Sequence, residues 1–351
     1  LKQSGARVIK IERKDGGDFA RGYDTAAEGE SSYFIWLNQG KESIALDLKT
    51  KEDRSIFLNM IAKADIFIQN FSPTTVTKLR IDSSSLKSIN PRLICCDISG
   101  YGEAPEMMKK KSYDLLIQAE SGLIDVSGSP EGLGRIGVSI CDIGAGMAAH
   151  AGIVESLLLR ERFNKVKDVK ISLFDVAADW MTVPYIHSKY GGAAPKRVGL
   201  KHPSIAPYGA FRCSENTSFI ISIQNELEWK RFCVEVLKTP ALAKENKFSS
   251  NTLRVKNRDL LDETIQSILS SLTDETLKNR LEDASIAYGR LNTVKDLEKH
   301  LALKKISVRN SLDNSLAIPS PPLIWENSEK KAPKFNQHNE QLRAEFNETK
   351  K

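Results

Sequence analysis

Long apolar runs are missing from this chain. No stretch of about 18 apolar residues occurs, so no segment reads as a membrane-spanning helix, and no membrane partner is expected. Cysteine is scarce: Cys95, Cys96, Cys141, Cys213 and Cys233 are the only five. An odd count without paired spacing excludes a disulfide framework and a zinc knuckle, and points to a reducing compartment. The expected location is the cytoplasm, or the mitochondrion in a eukaryote. Histidine is equally sparse. His150, His187, His202, His300 and His338 include no pair four residues apart, so no metal is expected. No G-x-S-x-G elbow is present, which removes the usual serine-hydrolase signature. Charge of one sign is not dominant: 51 Lys and Arg face 45 Asp and Glu, for a net +6. The cations are dispersed, which suits a small anionic ligand, and no nucleic-acid signature or partner is expected. The opening LKQSGARVIKIE lacks an initiator Met and reads as the last turn of a helix, a Gly stop and a strand. A strand and a helix are therefore expected ahead of it.

What is present is a regular alternation. The chain is 40% hydrophobic over 351 residues, enough for a sizeable core without staples. ARVIKIE (6–12) reads as a strand, TKEDRSIFLNMIAKAD (50–65) as an amphipathic helix, and IFIQN (66–70) as a buried strand. SPTTVTKLR (72–80) opens with the Ser-Pro chemistry of a helix start. LICCDIS gives another strand, residues 142–162 a long helix, and KDVKISLF (167–174) a further strand. Strand–helix–strand alternation argues for an α/β fold with a parallel sheet and helices on both faces. Near 190–210 the texture turns rich in Gly and Pro, like a linker. Beyond it FIISIQ reads as a strand and TIQSILSSL and VKDLEKHLAL as helices of a smaller α+β domain. The expected division is 1–195 for the large domain, 196–318 for linker and small domain, and 319–351 for a carboxy-terminal return to the large domain.

One acid stands out. GVSICDIGAGMAAHAGIVESLLLR (137–160) sets Asp142 between an apolar run and a helix-like tract. Asp142 suits a helix N-cap, because its carboxylate can accept from the first free amides. A helix N-terminus also exposes amides and a positive dipole end, which stabilise a reactive carboxylate or an oxyanion. Gly144 and Gly146 remove side-chain bulk where a substrate would approach. Arg13, Lys78 and Lys111 each fall near an element end, where parallel sheets form a ligand crevice. Tyr113 with Asp114 reads as an aromatic packed on the sheet beside an acid. RKDGGDFARG reads as a surface turn, and nothing marks Cys141 as a nucleophile.

Taken in order, GARVIKIER…GGDFAR, LNQGKESIALDLK, DIFIQNFSPTTVTKLR, INPRLICCDISGYG, YDLLIQAESGL and CDIGAGMAAHAGIVESLLLR resemble the class III coenzyme A transferases of CaiB/BaiF type. This family includes formyl-CoA transferase, carnitine CoA-transferase and methylacyl-CoA racemase. WLNQGKESIALDLK and FNQHNEQLRAEF are most similar to the itaconate and mesaconate CoA-transferase branch. The resemblance implies a Rossmann-like large domain, a small α+β domain and an interlocked homodimer. It implies no permanently bound cofactor, with coenzyme A and acyl-CoA as substrates beside a carboxylic acid, such as succinyl-CoA with a dicarboxylic acid. The family's catalytic aspartate, which forms aspartyl anhydride and aspartyl-CoA thioester intermediates, falls on Asp142. Its CoA-contacting cations fall on Arg13, Lys78 and Lys111. Its backbone contacts fall on Leu46, Asp47, Leu48 and Lys49, and on Asn70, Phe71 and Ser72. The active-site tyrosine falls on Tyr113, beside Asp114. Tyr113 in place of the racemases' His favours transfer over racemisation, which stays as the alternative. The formyl-CoA transferases' glycine-rich lid has no counterpart around 205–230, which disfavours oxalate. Lys196, Arg197 and Arg212 are candidates for a distal carboxylate. Roughly the first 25–30 family positions have no counterpart ahead of Leu1, so an inactive truncated member is a further alternative.

Overall fold

The computed structural model describes residues 1–323 and 330–347; residues 324–329 and 348–351 of the expected carboxy-terminal return lie outside the described residues. The chain divides into two units. The first takes Leu1–Ile117, Ile140–Val176 and the segment from His300 onward; the second takes Gln118–Ser139 and Ala177–Lys299. Residues 118–139 and 177–195 thus group with the second unit.

In the first unit, β1 (Ile9–Glu12) and β2 (Glu42–Ala45) pair in parallel, with Ile9 opposite Glu42. A second parallel sheet holds β3 (Ile66–Gln69), β4 (Ile94–Ser99) and β5 (Val169–Ser172), with β4 central. Helices α1 (Lys51–Lys63), α2 (Pro73–Leu79), α3 (Asp114–Glu120), α4 (Ile140–Phe163) and α5 (Asn339–Asn347) complete the frame. The architecture is mixed α/β with parallel sheets, as the alternation implies.

Local chemistry explains the elements. Thr50 caps α1 by accepting from the Asp53 amide, and Ile56, Phe57, Met60 and Ile61 bury one face of that helix. Ser72 caps α2 and Pro73 supplies its fixed first φ. Side chains on β4 alternate between faces, so its two cysteines enter different cores. Cys95 packs with Ile56 and Phe57 of α1 and Leu342 of α5. Cys96 packs with Ala149 and Ile153 of α4. Helices therefore cover both faces of β4, which is why ICCDIS is an apolar run rather than an alternating one.

The second unit is built on an antiparallel sheet of Tyr208–Arg212, Ser218–Ser222 and Ala287–Arg290. Its core gathers Phe219, Ile221, Trp229, Phe232, Leu261, Ile265 and Leu277. One expected helix is far shorter than its sequence suggests. VKDLEKHLAL is helical only over Val294–Leu297, held by a Thr293–Asp296 capping box. Val294 is 87% exposed and Leu301 fully exposed, so no packing extends the helix beyond its cap.

Candidate active site

The head of α4 shows where Asp142 stands. Asp142 lies in the first turn, but it is not the cap. Asp114, the first residue of α3, supplies the cap from another element. Its Oδ1 accepts the Cys141 amide at 2.7 Å and the Asp142 amide at 3.3 Å. Asp142's own carboxylate is exposed and takes no hydrogen bond or ion pair among the described residues. Partial desolvation first, and then the Asp114 charge, raise its pKa above the ordinary value. The cap preference that suits Asp142 is thus satisfied by a second acid, and the Asp142 oxygens stay available.

The neighbourhood limits what else can react. Burial first, then the charges of Asp114 and Asp142, push the Cys141 thiol up to about 12, so it is no nucleophile. Gly144 is buried, whereas a Cβ on Gly146 would meet open space. Asp142 and Gly146 are four apart on the helix, so a bare strip follows the carboxylate. The amides of Gly144 and Gly146 lie beyond the first four of α4 and are consumed by the helix ladder. They cannot serve as oxyanion donors.

The turn into α3 depends on close approach. A Cβ on Gly100 would lie 2.0 Å from Ser112 Oγ, so only glycine lets the loop after β4 fold back. That return delivers Lys111, Tyr113 and Asp114. Tyr113 is 70% exposed rather than packed on the sheet, and Lys111 is exposed.

The remaining expected positions lie at successive carboxy-terminal strand ends, the usual ligand edge of parallel α/β sheets. Arg13 follows β1; its Nε donates to Gly17 O at 3.1 Å and its guanidinium lies 4.1 Å from the Phe19 ring. Leu46, Asp47, Leu48 and Lys49 follow β2, running from a buried Leu46 to an exposed Lys49. Asn70, Phe71 and Ser72 follow β3, where Gln69 Oε1 accepts the Phe71 amide at 2.6 Å. Lys78 is exposed on α2. The structure joins Asp114 directly to the helix of Asp142. Among the described residues it shows no hydrogen bond from Asp142 to Arg13, Lys78 or Lys111, or to the loops after β2 and β3.

Two buried acids missed in the sequence hold these loops. Glu12 ends β1 and is 5% exposed. It accepts Arg21 Nη2 at 2.7 Å, Arg21 Nε at 2.8 Å, Ser43 Oγ at 2.6 Å and the Asp18 amide at 3.0 Å. RKDGGDFARG is therefore an anchored loop, with Gly16 and Gly17 both left-handed at φ 87° and 74°. Asp53, 1% exposed, binds Lys14 Nζ and Arg343 Nη2, each at 2.6 Å, and the Asp47 amide at 2.8 Å. It ties the loops after β1 and β2 to α5. For Glu12 the available signal was an acid closing the strand VIKIE. Arg197 is spent inside the second unit, donating to Asp125 and to Ser129 O.

Residues 1–339 match CoA-transferase family III. An Acetyl-CoA:oxalate CoA-transferase of Acetobacter aceti is 33% identical over 99% of this chain and 90% of its own length. A Succinate–glutarate CoA-transferase of Agrobacterium fabrum is 27% identical over 99% of this chain and 90% of its own length. The crystal structure of a CAIB/BAIF family protein from Brucella suis superposes with a TM-score of 0.80 at 30% identity, covering 97% of this chain and 92% of that one. The chain belongs to CoA-transferase family III, and is a CoA-transferase.

Proposed function

We propose that this enzyme moves coenzyme A from an acyl-CoA donor, such as succinyl-CoA, to a small dicarboxylic acid by covalent catalysis at Asp142. The carrying observation is a carboxylate at the head of α4 whose capping duty belongs to Asp114. The Asp142 carboxylate attacks the donor thioester carbonyl, and the resulting oxyanion collapses to a mixed anhydride as CoA thiolate leaves. The thiolate attacks the aspartyl carbonyl, expelling the donor carboxylate and leaving an aspartyl-CoA thioester. The acceptor carboxylate then attacks that thioester and expels the thiolate. The thiolate takes the new acyl group and frees Asp142, with no net proton change.

The positive end of α4 favours the developing oxyanion, and a backbone donor there is typically worth about 3 kcal/mol. Arg13, Lys78 and Lys111 hold the CoA phosphates by charge-assisted bonds. A thiolate kept in place reacts at high effective molarity, so the acyl group is not lost to water. A dicarboxylic acceptor is supported by the two relatives above, whose names carry oxalate and glutarate. A reducing compartment such as the cytoplasm is supported by five cysteines that are all free and buried.

A homodimer is supported by the helix Thr182–Tyr190, which buries none of its residues, with Val183, Tyr185, Ile186 and Tyr190 exposed. The mechanism is tested by Asp142→Ala, which should abolish exchange. In the wild type, hydroxylamine during turnover with succinyl-CoA should yield an Asp142 hydroxamate by mass spectrometry. Exchange that survives in Asp142→Ala rules the mechanism out. A panel of mono- and dicarboxylates, oxalate included, identifies the acceptor.

A further inference from the structure

One register row of the sheet β3–β4–β5 breaks its apolar pattern. Gln69 of β3 stands opposite Asp97 of β4, and Asp97 opposite Lys170 of β5. The rows before it are apolar: Phe67 faces Cys95, and Ile68, Cys96 and Val169 line up. Parallel strands covered on both faces are expected to be apolar throughout. Gln69 is only 8% exposed, and a buried amide costs free energy unless its polar ends are satisfied.

Both ends of the Gln69 amide are satisfied. Nε2 donates to Asp97 Oδ1 at 2.7 Å, and Oε1 accepts the Phe71 amide at 2.6 Å. An ionised carboxylate only accepts, so Asp97 fixes which end of the amide faces it and leaves the oxygen for Phe71. The bond to Asp97 is charge-assisted and holds the side chain firmly. Only residues 70–72 separate β3 from α2. Ser72 secures the far end of this connection, its Oγ accepting the Thr75 amide at 3.3 Å. Between the two anchors Asn70 and Phe71 stay exposed, Phe71 at 46%. Gln69 is buried, so its effect on a ligand passes through the loop it holds.

We propose that Gln69 is a positioning residue of the coenzyme A site, bracing the loop Asn70–Ser72 on Asp97. The inference rests on the reading that this loop meets CoA. Gln69→Met keeps the side-chain length and removes both bonds. Its affinity for CoA, measured by calorimetry without turnover, should fall about fivefold. KM for acyl-CoA should rise while kcat is kept. Gln69→Glu keeps an acceptor for Phe71 but sets two carboxylates against each other, and should also weaken CoA binding at neutral pH. Adding Asp97→Asn to Gln69→Glu returns a donor to the pair from the opposite side, and should restore wild-type affinity. If the double variant does not fold, the two single variants decide by KM against kcat. The proposal is overturned if Gln69→Met binds CoA as the wild type does, even with a lowered Tm, for Gln69 then only stabilises the sheet. It is equally overturned if the folded double variant binds no better than Gln69→Glu. Lys78→Met separates the two levels. Where it weakens CoA binding and Gln69→Met does not, the inference alone falls; where neither does, the CoA site is misplaced and the inference falls with it.

Discussion

Two neighbouring aspartates divide the work at the head of α4, and that division makes predictions about single residues. Asp114 anchors the helix start through two amides, and its charge helps raise the Asp142 pKa. Asp114→Asn keeps an oxygen for the cap while removing the like charge. It should move the acid limb of the kcat profile to lower pH, because Asp142 then ionises more readily. A pH–rate comparison of the two proteins checks this. Asp142 itself costs stability. Its folded-state pKa lies above the ordinary 3.8, so the folded chain binds more protons than the unfolded one in that window, and stability falls as pH rises through it. Asp142→Asn should therefore melt at a higher temperature than the wild type at neutral pH, with the advantage fading as pH falls through the raised value and gone once pH reaches 3.8. Glu12 behaves oppositely. Burial alone would raise it, but the Arg21, Ser43 and Asp18 hydrogen bonds outweigh that and hold it below its ordinary value. Its contribution is full above the ordinary carboxylate pKa and is lost as pH falls through the lowered one.

At the scale of elements, the candidate site is a set of loops held from beneath. Asp53 is pulled down to about 2: burial opposes, and Lys14, the Asp47 amide and Arg343 prevail. Because it joins the loop carrying Arg13 to the loop of Leu46–Lys49, Asp53→Asn should raise KM for acyl-CoA more than it lowers kcat. Steady-state kinetics separates the two. Gly100→Ala should cost about 1–3 kcal/mol in urea unfolding, because the loop carrying Lys111 and Tyr113 must move off Ser112. Elements with strong local signals were legible in advance: the Ser72 cap, Pro73, and the one-sided apolar face of α1. VKDLEKHLAL was not, because its pattern promises a buried face and the fold offers nothing for Val294 and Leu301 to pack against.

At the scale of the whole molecule, the apolar surface left uncovered carries the prediction. The helix Thr182–Tyr190 of the second unit presents Val183, Tyr185, Ile186 and Tyr190 to solvent, all on one nine-residue element. A second copy covering it would remove that apolar surface from water. Sedimentation velocity should find a dimer in the wild type, and Tyr185→Glu with Ile186→Glu should shift it toward monomer while each unit's own core is untouched. A wild-type monomer at micromolar concentration defeats that assignment.

The sequence alone determined the family and the parallel α/β alternation, and it singled out Asp142 as the candidate reactive acid. Each of these is carried by local pattern: apolar period, cap chemistry and an ordered run of motifs. It left Asp142 divided between cap and chemistry, because an acid at a helix start satisfies both. Tertiary structure gave the cap to Asp114, 28 residues away in the chain, and left the Asp142 carboxylate without that duty. It likewise turned RKDGGDFARG into an anchored loop, because the Glu12 and Asp53 partners come from β2, α1 and α5. A hydrogen bond between distant segments has no period and no spacing, so nothing in the linear chain announces it.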